Sequence, residues 1–325
     1  MDILFLNYDK TDSCSFYRSA GIAPNLRRMS GHNIVTAQWN ELNMNWALLV
    51  EFDIIMMQRP YNQAALDLCQ YIKDMNKILW LDYDDNLFSI PPENKAFKTY
   101  NKPDIRKAMK SILELADIIT VTTEDLRDSL MPYNSNITVI PNAFNDDLFI
   151  KDPWKERSNI VLWRGTDTHI FDLMCFTHPL NELADEYRND QFMFMGFYPW
   201  FLRGSENKGT VDPMDVIVYH KTIRKMRPII MHVPLHDNLF NRCKSNIAFI
   251  EGTFAGSACI VPQWWDYDGA LKYTDQKSYY EAFRAVLCGE VNVQAENAKA
   301  WHYIRNELTL SKVNVQRMNL INQFK

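Results

Sequence analysis

Short apolar runs alternate with amphipathic helical patterns along most of the chain. The runs are rich in Ile, Val and Leu and do not alternate cleanly with polar residues, as expected of strands covered on both faces. Helical patterns such as residues 62–75 and 107–116 lie between them. Strand, helix and strand following one another in this way predict parallel sheets with right-handed crossovers. The predicted strands are residues 2–8, 33–39, 53–58, 77–83, 117–123 and 137–143 in a first series, and 159–166, 191–197, 229–235 and 258–263 in a second.

A polar stretch, residues 145–158, separates the two series. We interpret it as a linker between two doubly wound α/β domains, residues 1–150 and 151–325, whose strand carboxyl ends border a common cleft. The last sixty residues show no clear strand, and we expect them to form two or three helices of the second domain. The predicted architecture is therefore two Rossmann-like domains that face each other.

Composition and charge limit the classes of function. The 325 residues are 47% hydrophobic, which is enough to bury a core in each of two domains. The net charge of −5 argues against a protein that coats nucleic acid or an anionic membrane with its whole surface. Basic side chains are concentrated in residues 93–110 and 203–227. Such patches suit a phosphate-bearing partner, although a solvated helix face is the commoner explanation of a charge run.

The cysteines and the apolar runs indicate the compartment. The six cysteines show no CxxC pair and no regular spacing, so neither a zinc site nor a disulfide framework is expected. No apolar run reaches the length of a membrane span, and no signal peptide is recognisable at the N-terminus. These features predict a cytoplasmic protein without a transmembrane segment.

The most informative polar residues follow the strand predicted at 229–235. A helix is expected over residues 241–255. Lys244 and Ser245 would then lie in its first turns, where free backbone N–H groups and the helix dipole favour an anion. Glu251 would lie two turns further, about 10 Å along the axis. This spacing suits a nucleotide diphosphate whose ribose reaches Glu251, and the alternative is an ordinary pair on an exposed helix face.

Residues 240–262, "FNRCKSNIAFIEGTFAGSACIVP", resemble the donor-binding segment of GT-B glycosyltransferases of the "group one" class, especially its bacterial and phage members. That class carries an E-x7-E pattern, and Glu251 matches the second Glu, which the resemblance assigns to the donor ribose. Cys243 stands in place of the first Glu, as in variants that carry the same "FN..KS" run. The other donor-binding residues that the resemblance implies in this segment are Asn241, Lys244 and Ser245.

Another segment of the second domain resembles the same class. Residues 159–173, "NIVLWRGTDTHIFDL", are similar to the strand and Gly turn that open that domain. The resemblance places Arg164, Gly165 and Thr166 against the donor phosphates. His169 follows the turn and is expected to contact the donor or the acceptor, and we assign it to the acceptor. A hydrogen-bonded, partly buried histidine is the alternative.

The resemblance extends to the first domain. Residues 14–34, "CSFYRSAGIAPNLRRMSGHNI", are similar to the first strand-to-helix segment of the class, which places Ser15, Tyr17 and Arg18 at the acceptor side of the cleft. Together the similar segments cover about residues 1–265, in the order that the class shows.

Three carboxylates, Asp82, Asp84 and Asp85, lie at the end of the strand predicted at 77–83. One interpretation is a DxD metal site of the GT-A type, which holds a divalent ion against the donor diphosphate. A second is the nucleophile of the haloacid dehalogenase superfamily, with Asp82 attacking phosphorus and Asp84 acting as the acid. The GT-B resemblance implies a third, in which the carboxylates face the cleft without a metal and either bind sugar or acceptor hydroxyls or hold the loop 86–103 in place. Asp84 and Asp85 are the candidates for the acceptor side. Asp82 is also a candidate for capping a local turn.

The resemblance implies a retaining glycosyltransferase, of the hexosyl- or pentosyltransferase type, that uses a nucleotide-diphosphate sugar, with a UDP-sugar favoured. Arg164 and Lys244 would stabilise charge on the leaving diphosphate, with Asp84 on the acceptor side. Neither a divalent metal nor another cofactor is expected. The alternative of another class is a phosphatase that uses Asp82 and Asp84, and a non-catalytic binding module is a further alternative.

The favoured acceptor is a hydroxymethylated pyrimidine of the 5-hydroxymethylcytosine type in phage DNA. The basic residues 93–110 and 203–227 and the aromatic run 196–204 would then hold backbone phosphates and an extruded base. A place in the hydrophobic core is the alternative for the aromatic run. The expected location of such an enzyme is the host cytoplasm. A hydroxyl of a surface polysaccharide or of a lipid-linked sugar is the alternative acceptor.

Overall fold

The computed structural model describes residues 1–7, 13–38 and 45–324. They form two sheets of six parallel strands, each covered by helices on both faces, so the predicted fold class is confirmed. The strands of the first sheet are β1 (Asp2–Asn7), β2 (Asn33–Gln38), β3 (Ile54–Gln58), β4 (Ile78–Tyr83), β5 (Ile118–Val121) and β6 (Ile137–Val139), paired in the order β2-β1-β3-β4-β5-β6. Those of the second are β7 (Ser158–Arg164), β8 (Gln191–Met195), β9 (Lys208–Val211), β10 (Pro228–His232), β11 (Ala258–Pro262) and β12 (Ala270–Tyr273), in the order β12-β11-β10-β7-β8-β9.

Each of the predicted apolar runs contains a strand, but β9 and β12 were not predicted. The expectation that the last sixty residues contain no strand is therefore wrong for β12. Both missed strands are four residues long, lie at the two edges of the second sheet and bury few side chains. A short edge strand does not need a continuous apolar run, so its pattern is weak. Two predicted strand ends, Tyr8 and Trp39, lie outside the described residues.

The helices begin and end largely where local chemistry favours it. The side chain of Asn62 accepts a hydrogen bond from the backbone N–H of Ala65, and that of Thr123 accepts one from Leu126, so both act as N-caps. The helices of the first half are α1 (Ser13–Arg18), α2 (Ala23–Ser30), α3 (Gln63–Asp74), α4 (Phe97–Tyr100), α5 (Pro103–Leu115) and α6 (Glu124–Leu130). Those of the second half are α7 (Ile170–Met174), α8 (Thr177–Glu186), α9 (Val216–Met226), α10 (Leu239–Arg242), α11 (Ile247–Ala255), α12 (Gln276–Leu287), α13 (Val293–Glu307) and α14 (Leu310–Asn322).

The last helix crosses back to the first domain. Residues Leu310, Val313 and Ile321 of α14 are buried in one apolar cluster with Ile3 and Phe5 of β1. The sequence assigned all terminal helices to the second domain, and this assignment is wrong for α14. The apolar face of α14 covers a sheet face that α2 alone leaves partly open, and sequence periodicity does not reveal which sheet a helix will cover.

The chain between the two sheets, residues 140–157, forms no helix or strand, and the boundary predicted at residue 150 lies within it. Across the described ranges, no helix combines the length and the apolar character needed to cross a membrane. All six cysteines are described, and none forms a disulfide.

Candidate active site

A cavity of about 420 Å³ lies between the carboxyl ends of the two sheets, which is where ligands bind in doubly wound folds. Its volume is within the range of small-molecule sites. The first domain contributes residues that follow β3 and β4, and the second contributes residues that follow β7 and β10 and those at the start of α11. The residues assigned to the site from the sequence that line this cavity are Asp84, Asp85, Arg164, Gly165, Thr166, His169, Lys244 and Ser245.

A Gly turn after β7 forms one wall of the cavity. A Cβ on Gly165 would lie 2.7 Å from the indole of Trp163, and a Cβ on Gly196 would lie 2.4 Å from the carbonyl oxygen of Gly165. Gly196 also has φ +93, a conformation that side-chain-bearing residues rarely adopt. The two glycines therefore bring the turns after β7 and β8 into direct contact at the cavity.

The helix predicted over residues 241–255 is in fact two helices, α10 and α11, and Lys244 and Ser245 lie between them. The backbone N–H of Lys244 bonds to the carbonyl of Asn241 at 3.1 Å, which closes a tight turn. The intervening sequence is rich in Asn and Ser, which favour caps and turns over helix interiors. As a result Lys244 and Ser245 precede the N-terminus of α11, which faces the cavity through Ile247 and Ala248.

An ion cluster spans the cavity from one domain to the other. The ammonium Nζ of Lys244 lies 3.4 Å from Oδ1 of Asp85, and Arg59 Nη2 lies 2.8 Å from Oδ2 of the same carboxylate. Arg59 also pairs with Asp84. Burial alone would raise the pKa of Asp85, but the charges of Lys244, Arg59 and His169 outweigh it and lower that pKa. Asp84 and Asp85 thus already face cations of the protein itself.

Arg59 is a cavity residue that the sequence interpretation missed. It follows β3 directly, lines the cavity and has φ +49, which is uncommon for a residue with a side chain. Such backbone strain clusters at functional sites. Burial would lower the pKa of Arg59, but the negative charges of Asp84 and Asp85 raise it. The signal in the sequence that could have identified Arg59 was a charged residue followed by Pro at the carboxyl end of a buried strand. Ser13 and Cys14, which also line the cavity, carried no comparable signal.

His169 is oriented by two residues behind the cavity wall. Its Nδ1 lies 3.2 Å from Oδ2 of Asp172, and Oδ1 of Asp172 accepts from Nδ2 of Asn241 at 2.6 Å. Burial, together with the charge of Lys244, lowers the pKa of His169. Asn241 itself is 1% exposed and does not line the cavity. In this structure Asn241 therefore supports His169 through Asp172 and does not face the donor space.

Asp82 and Arg18 lie in the protein interior and not in the cavity. Arg18 Nε and Nη2 donate to the two carboxylate oxygens of Asp82 at 2.9 and 2.7 Å, and both residues are at most 2% exposed. Thr120 Oγ1 donates to the same carboxylate at 2.6 Å. Asp82 is thus enclosed by donors and cannot be approached by a phosphate ester, so the phosphatase interpretation fails. The expected position of Arg18 at the cleft surface is also wrong, because its charge is used to neutralise Asp82.

Among the described residues no group of three His, Cys, Asp or Glu side chains is arranged to hold a metal ion. The DxD interpretation required Asp82 and Asp84 to point at a common ion. Successive residues of a strand point to opposite faces, but alternate ones point to the same face. Here Asp82 instead turns to Arg18 and Asp84 to Arg59, so the two carboxylates do not converge.

Ser15, Tyr17 and Glu251 are buried beside the cavity without lining it. Ser15 Oγ donates to Gln58 Oε1 at 3.2 Å. The hydroxyl of Tyr17 donates to Oε1 of Glu251 at 3.0 Å. Oε2 of Glu251 lies 2.8 Å from Nε of Arg164, a contact that is an ion pair and not a well-directed hydrogen bond. The expected positions of Ser15 and Tyr17 at the cleft surface are therefore wrong, and Glu251 is turned towards Arg164.

The two domains are closed over the cavity by further direct contacts. Asn142 Nδ2 donates to Oγ of Ser245 at 2.9 Å, and Asn94 Nδ2 donates to the carbonyl oxygen of Thr168 at 3.0 Å. The carbonyl oxygen of Cys243 accepts from Thr123 Oγ1 at 3.0 Å. Cys243, at the position of the first Glu of the E-x7-E pattern, therefore makes a contact between the two domains.

No protein-family model and no curated protein sequence matches this chain. Solved structures do match it over almost its whole length. Anabaena HepE, solved with UDP, is 10% identical with a TM-score of 0.63, and the match covers 99% of this chain and 100% of HepE. The catalytic domain of starch synthase IV from Arabidopsis thaliana, solved with ADP and acarbose, is 9% identical with a TM-score of 0.64 and 99% coverage of both chains.

A third similar structure is the UDP-GlcNAc 2-epimerase of Neisseria meningitidis bound to UDP-GlcNAc. It is 11% identical with a TM-score of 0.57, covering 99% of this chain and 100% of the epimerase. Identities this low indicate a shared architecture and do not carry a reaction over. The two parallel sheets, the cleft between their carboxyl ends and these similarities show that this chain has the GT-B fold.

Proposed function

We propose that this protein is a glycosyltransferase that moves a sugar from a nucleotide-diphosphate sugar, preferably a UDP-sugar, to a hydroxyl acceptor with retention of configuration. The observation that carries the proposal is the convergence of Arg164, Lys244 and the N-terminus of α11 on one cavity. Two cations and free backbone N–H groups form a site for a diphosphate. The similar structures solved with UDP, ADP and UDP-GlcNAc support a nucleotide ligand in a cleft of this fold.

The donor is proposed to bind to the second domain. Arg164 and Lys244 stabilise the negative charge that builds on the leaving diphosphate. Gly165 and Thr166 allow the backbone to approach the phosphates closely, and Ser245 contributes a hydroxyl at the start of α11. Closure of the domains removes water, which strengthens these interactions and prevents hydrolysis of the donor.

The acceptor is proposed to bind against the first domain. Asp84 accepts a hydrogen bond from the reacting hydroxyl, and Asp85 and His169 orient the acceptor from either side of the cavity. The low pKa of Asp85 keeps it ionised at neutral pH. Since Arg59 and Lys244 already balance these carboxylates, the proposed transfer uses no divalent metal or other cofactor.

We further propose that the acceptor hydroxyl belongs to a hydroxymethylated pyrimidine in DNA and that the protein acts in the cytoplasm. Ala96, which immediately precedes α4, and Tyr100, the last residue of α4, line the cavity. Four lysines on α4, on α5 and just before α5 are exposed, and in this proposal they contact the DNA phosphates: Lys98, Lys102, Lys107 and Lys110. Tyr198 and Trp200 are 67% and 64% exposed on the loop after Gly196, and exposed rings are suited to stacking on bases.

The second basic region, residues 203–227, supports DNA as the acceptor less well. Arg203 pairs with Asp185 and Arg224 pairs with Asp152, so these two charges are partly neutralised. Lys208 donates to Asn181 and is half-buried. The proposed DNA contact therefore rests on the α4–α5 lysines and the loop aromatics.

The proposal is tested by incubating the protein with a panel of UDP- and GDP-sugars and with hydroxymethylcytosine DNA, in the presence and absence of EDTA. Mass spectrometry of the digested nucleosides is expected to show addition of one hexose or pentose, unchanged by EDTA. Unmodified DNA and a lipid-linked or polysaccharide acceptor are run in parallel. Transfer to the glycan alone contradicts the DNA acceptor, and an epimerised sugar nucleotide without transfer contradicts the transferase. NMR of the product decides retention.

Lys244→Ala tests the donor site directly. The expected result is at least a tenfold loss of UDP affinity, because a charge-assisted contact to a phosphate contributes about 1.5–3 kcal/mol. Lys277→Ala is the matched control, since Lys277 is 84% exposed on α12 and does not line the cavity. Unchanged UDP affinity in the Lys244 variant would refute the donor site.

A further inference from the structure

A buried network joins the two domains behind the cavity. The hydroxyl of Tyr17, on α1 of the first domain, lies 3.0 Å from Oε1 of Glu251 and 3.0 Å from Nε2 of His220, both in the second domain. Oε2 of Glu251 accepts from Tyr219 Oη at 2.8 Å and lies 2.8 Å from Nε of Arg164. Tyr17 and Glu251 are 3% and 2% exposed, so little water reaches these contacts.

The protons of this network can be assigned from its partners. His220 Nδ1 lies 2.7 Å from the carbonyl oxygen of Val216, which can only accept, so Nδ1 carries a proton. Burial lowers the pKa of His220, which keeps the ring neutral and leaves Nε2 as an acceptor. Burial and the charge of Glu251 raise the pKa of Tyr17, so its hydroxyl stays protonated. The single proton of Tyr17 therefore faces two acceptors, and the carboxylate of Glu251 is the stronger.

Arg164 belongs both to this network and to the cavity wall. The guanidinium is a rigid planar group, so the ion pair between Nε and Glu251 restrains the position of the whole group. Glu251 does not line the cavity, and each of its oxygens already has a partner. The direct effect of Glu251 in this closed structure is therefore on Arg164.

We propose that Glu251 and Tyr17 are positioning residues that couple closure of the two domains to the placement of the Arg164 guanidinium. Tyr17 reaches Glu251 across the domain boundary, and Glu251 holds Arg164 towards the cavity. This inference rests on the proposed function, because that function assigns Arg164 to the donor diphosphate. It replaces the ribose contact that the resemblance implies for Glu251.

The role of Glu251 is tested by calorimetric binding of UDP and of 2′,3′-dideoxy-UDP, which lacks both ribose hydroxyls. The variant is Glu251→Gln, which keeps the shape and removes the charge. Positioning of Arg164 predicts that the variant weakens both ligands by the same factor, about tenfold. A ribose contact predicts a loss with UDP and none with the dideoxy ligand, and that result overturns the proposal, as does unchanged binding of both.

The role of Tyr17 is tested by Tyr17→Phe, with Tyr219→Phe as the matched control. Both variants remove one hydroxyl that donates to Glu251, but only Tyr17 does so from the other domain. Tyr17→Phe is expected to lower kcat about tenfold and to leave the donor KM within twofold, because the donor first meets the second domain alone. Tyr219→Phe is expected to raise the donor KM. An unchanged kcat in Tyr17→Phe, or equal changes of kcat and KM in the two variants, overturns the coupling.

Failure of the proposed function is distinguishable from failure of this inference. A wild-type protein that binds neither UDP nor another nucleoside diphosphate refutes the proposed function. The interdomain contact is then measured without a ligand by small-angle X-ray scattering. Tyr17→Phe is expected to increase the radius of gyration relative to the wild type and to Tyr219→Phe, and identical values for all three overturn the proposal.

Discussion

Replacing Asp82 with Asn removes the negative charge from a buried ion pair and leaves Arg18 without a counterion. In the native structure Arg18 donates twice to Asp82, and its Nη1 also donates to the carbonyl oxygen of Ile140 at 2.7 Å. Both side chains of the pair are at most 2% exposed, so water cannot take over the lost interaction. The substitution is nearly isosteric, which means that charge and not shape is what changes.

The expected cost is about 3–5 kcal/mol, which is the usual penalty for breaking a buried pair from one side. A domain of this size loses roughly 2–4 °C of melting temperature per kcal/mol. The melting temperature of Asp82→Asn is therefore expected to fall by about 6–20 °C. Arg18→Met should cost a similar amount, because it leaves an unpaired carboxylate. The double variant should lose clearly less than the sum, since neither charge is then left alone.

A matched control is available on the surface. Arg242 contacts both oxygens of Asp237 at 2.6 and 2.8 Å, in the same bidentate geometry, but the two side chains are 47% and 48% exposed. Asp237→Asn is expected to cost at most about 1 kcal/mol. Comparing the two Asp→Asn variants by thermal melting and urea denaturation therefore isolates the effect of burial.

Two results would refute the reasoning on Asp82. One is a melting temperature within about 2 °C of the wild type, because a loss of only about 1 kcal/mol should already lower it by at least that much. The other is strict additivity of the two single variants. Folded Asp82→Asn protein is also expected to retain glycosyl transfer at low temperature. A phosphatase nucleophile would behave in the opposite way, with full stability and no activity towards acyl phosphates.

Three further predictions concern single residues. Gly196→Ala is expected to lower the free energy of unfolding by about 2 kcal/mol or more in a denaturant titration, because Gly196 has a positive φ and the added Cβ would collide with the carbonyl oxygen of Gly165. A variant as stable as the wild type would contradict this. Arg317→Met is expected to be neutral or stabilising, because burial lowers the pKa of Arg317 to about 9 and its Nη2 has no hydrogen-bond partner, which offsets the loss of the bond from Nη1 to Asn314. A loss above about 1 kcal/mol would contradict it. Arg59→Gln removes one of the cations that, against burial, lower the pKa of Asp85, so the acid limb of the pH–activity profile should move to higher pH. An unshifted pH profile argues against an ionised Asp85 in the reaction.

Much of the fold could be predicted from the sequence because of how parallel sheets are covered. A strand buried on both faces has to be a continuous apolar run, and every such run contains a strand. The edge strands β9 and β12 were missed because a half-covered strand is free of that requirement. The domain assignment of α14 was missed for a different reason. Its amphipathic pattern predicts a buried face but not the sheet against which that face packs.

The candidate site was predictable only where its residues follow a strand or precede a helix. Gly165, Asp84, Asp85 and Lys244 are of this kind, and Arg164 is the last residue of β7, since the topology alone brings such positions to one edge of a sheet. The side chains that contact these residues could not be predicted from the sequence.

Which of these side chains reach the cavity was decided by packing between distant parts of the chain. Arg59 binds Asp85 from 26 positions away, and Tyr17 reaches Glu251 from 234 positions away. Asp82 was one of three similar carboxylates in the sequence, and only the position of Arg18 in the folded interior separates it from the other two. The amino-acid pattern specifies strands, turns and the edge where polar residues gather, because these depend on neighbours along the chain. The partner of each charge is decided in the tertiary structure, because ion pairing depends on distance and burial in three dimensions.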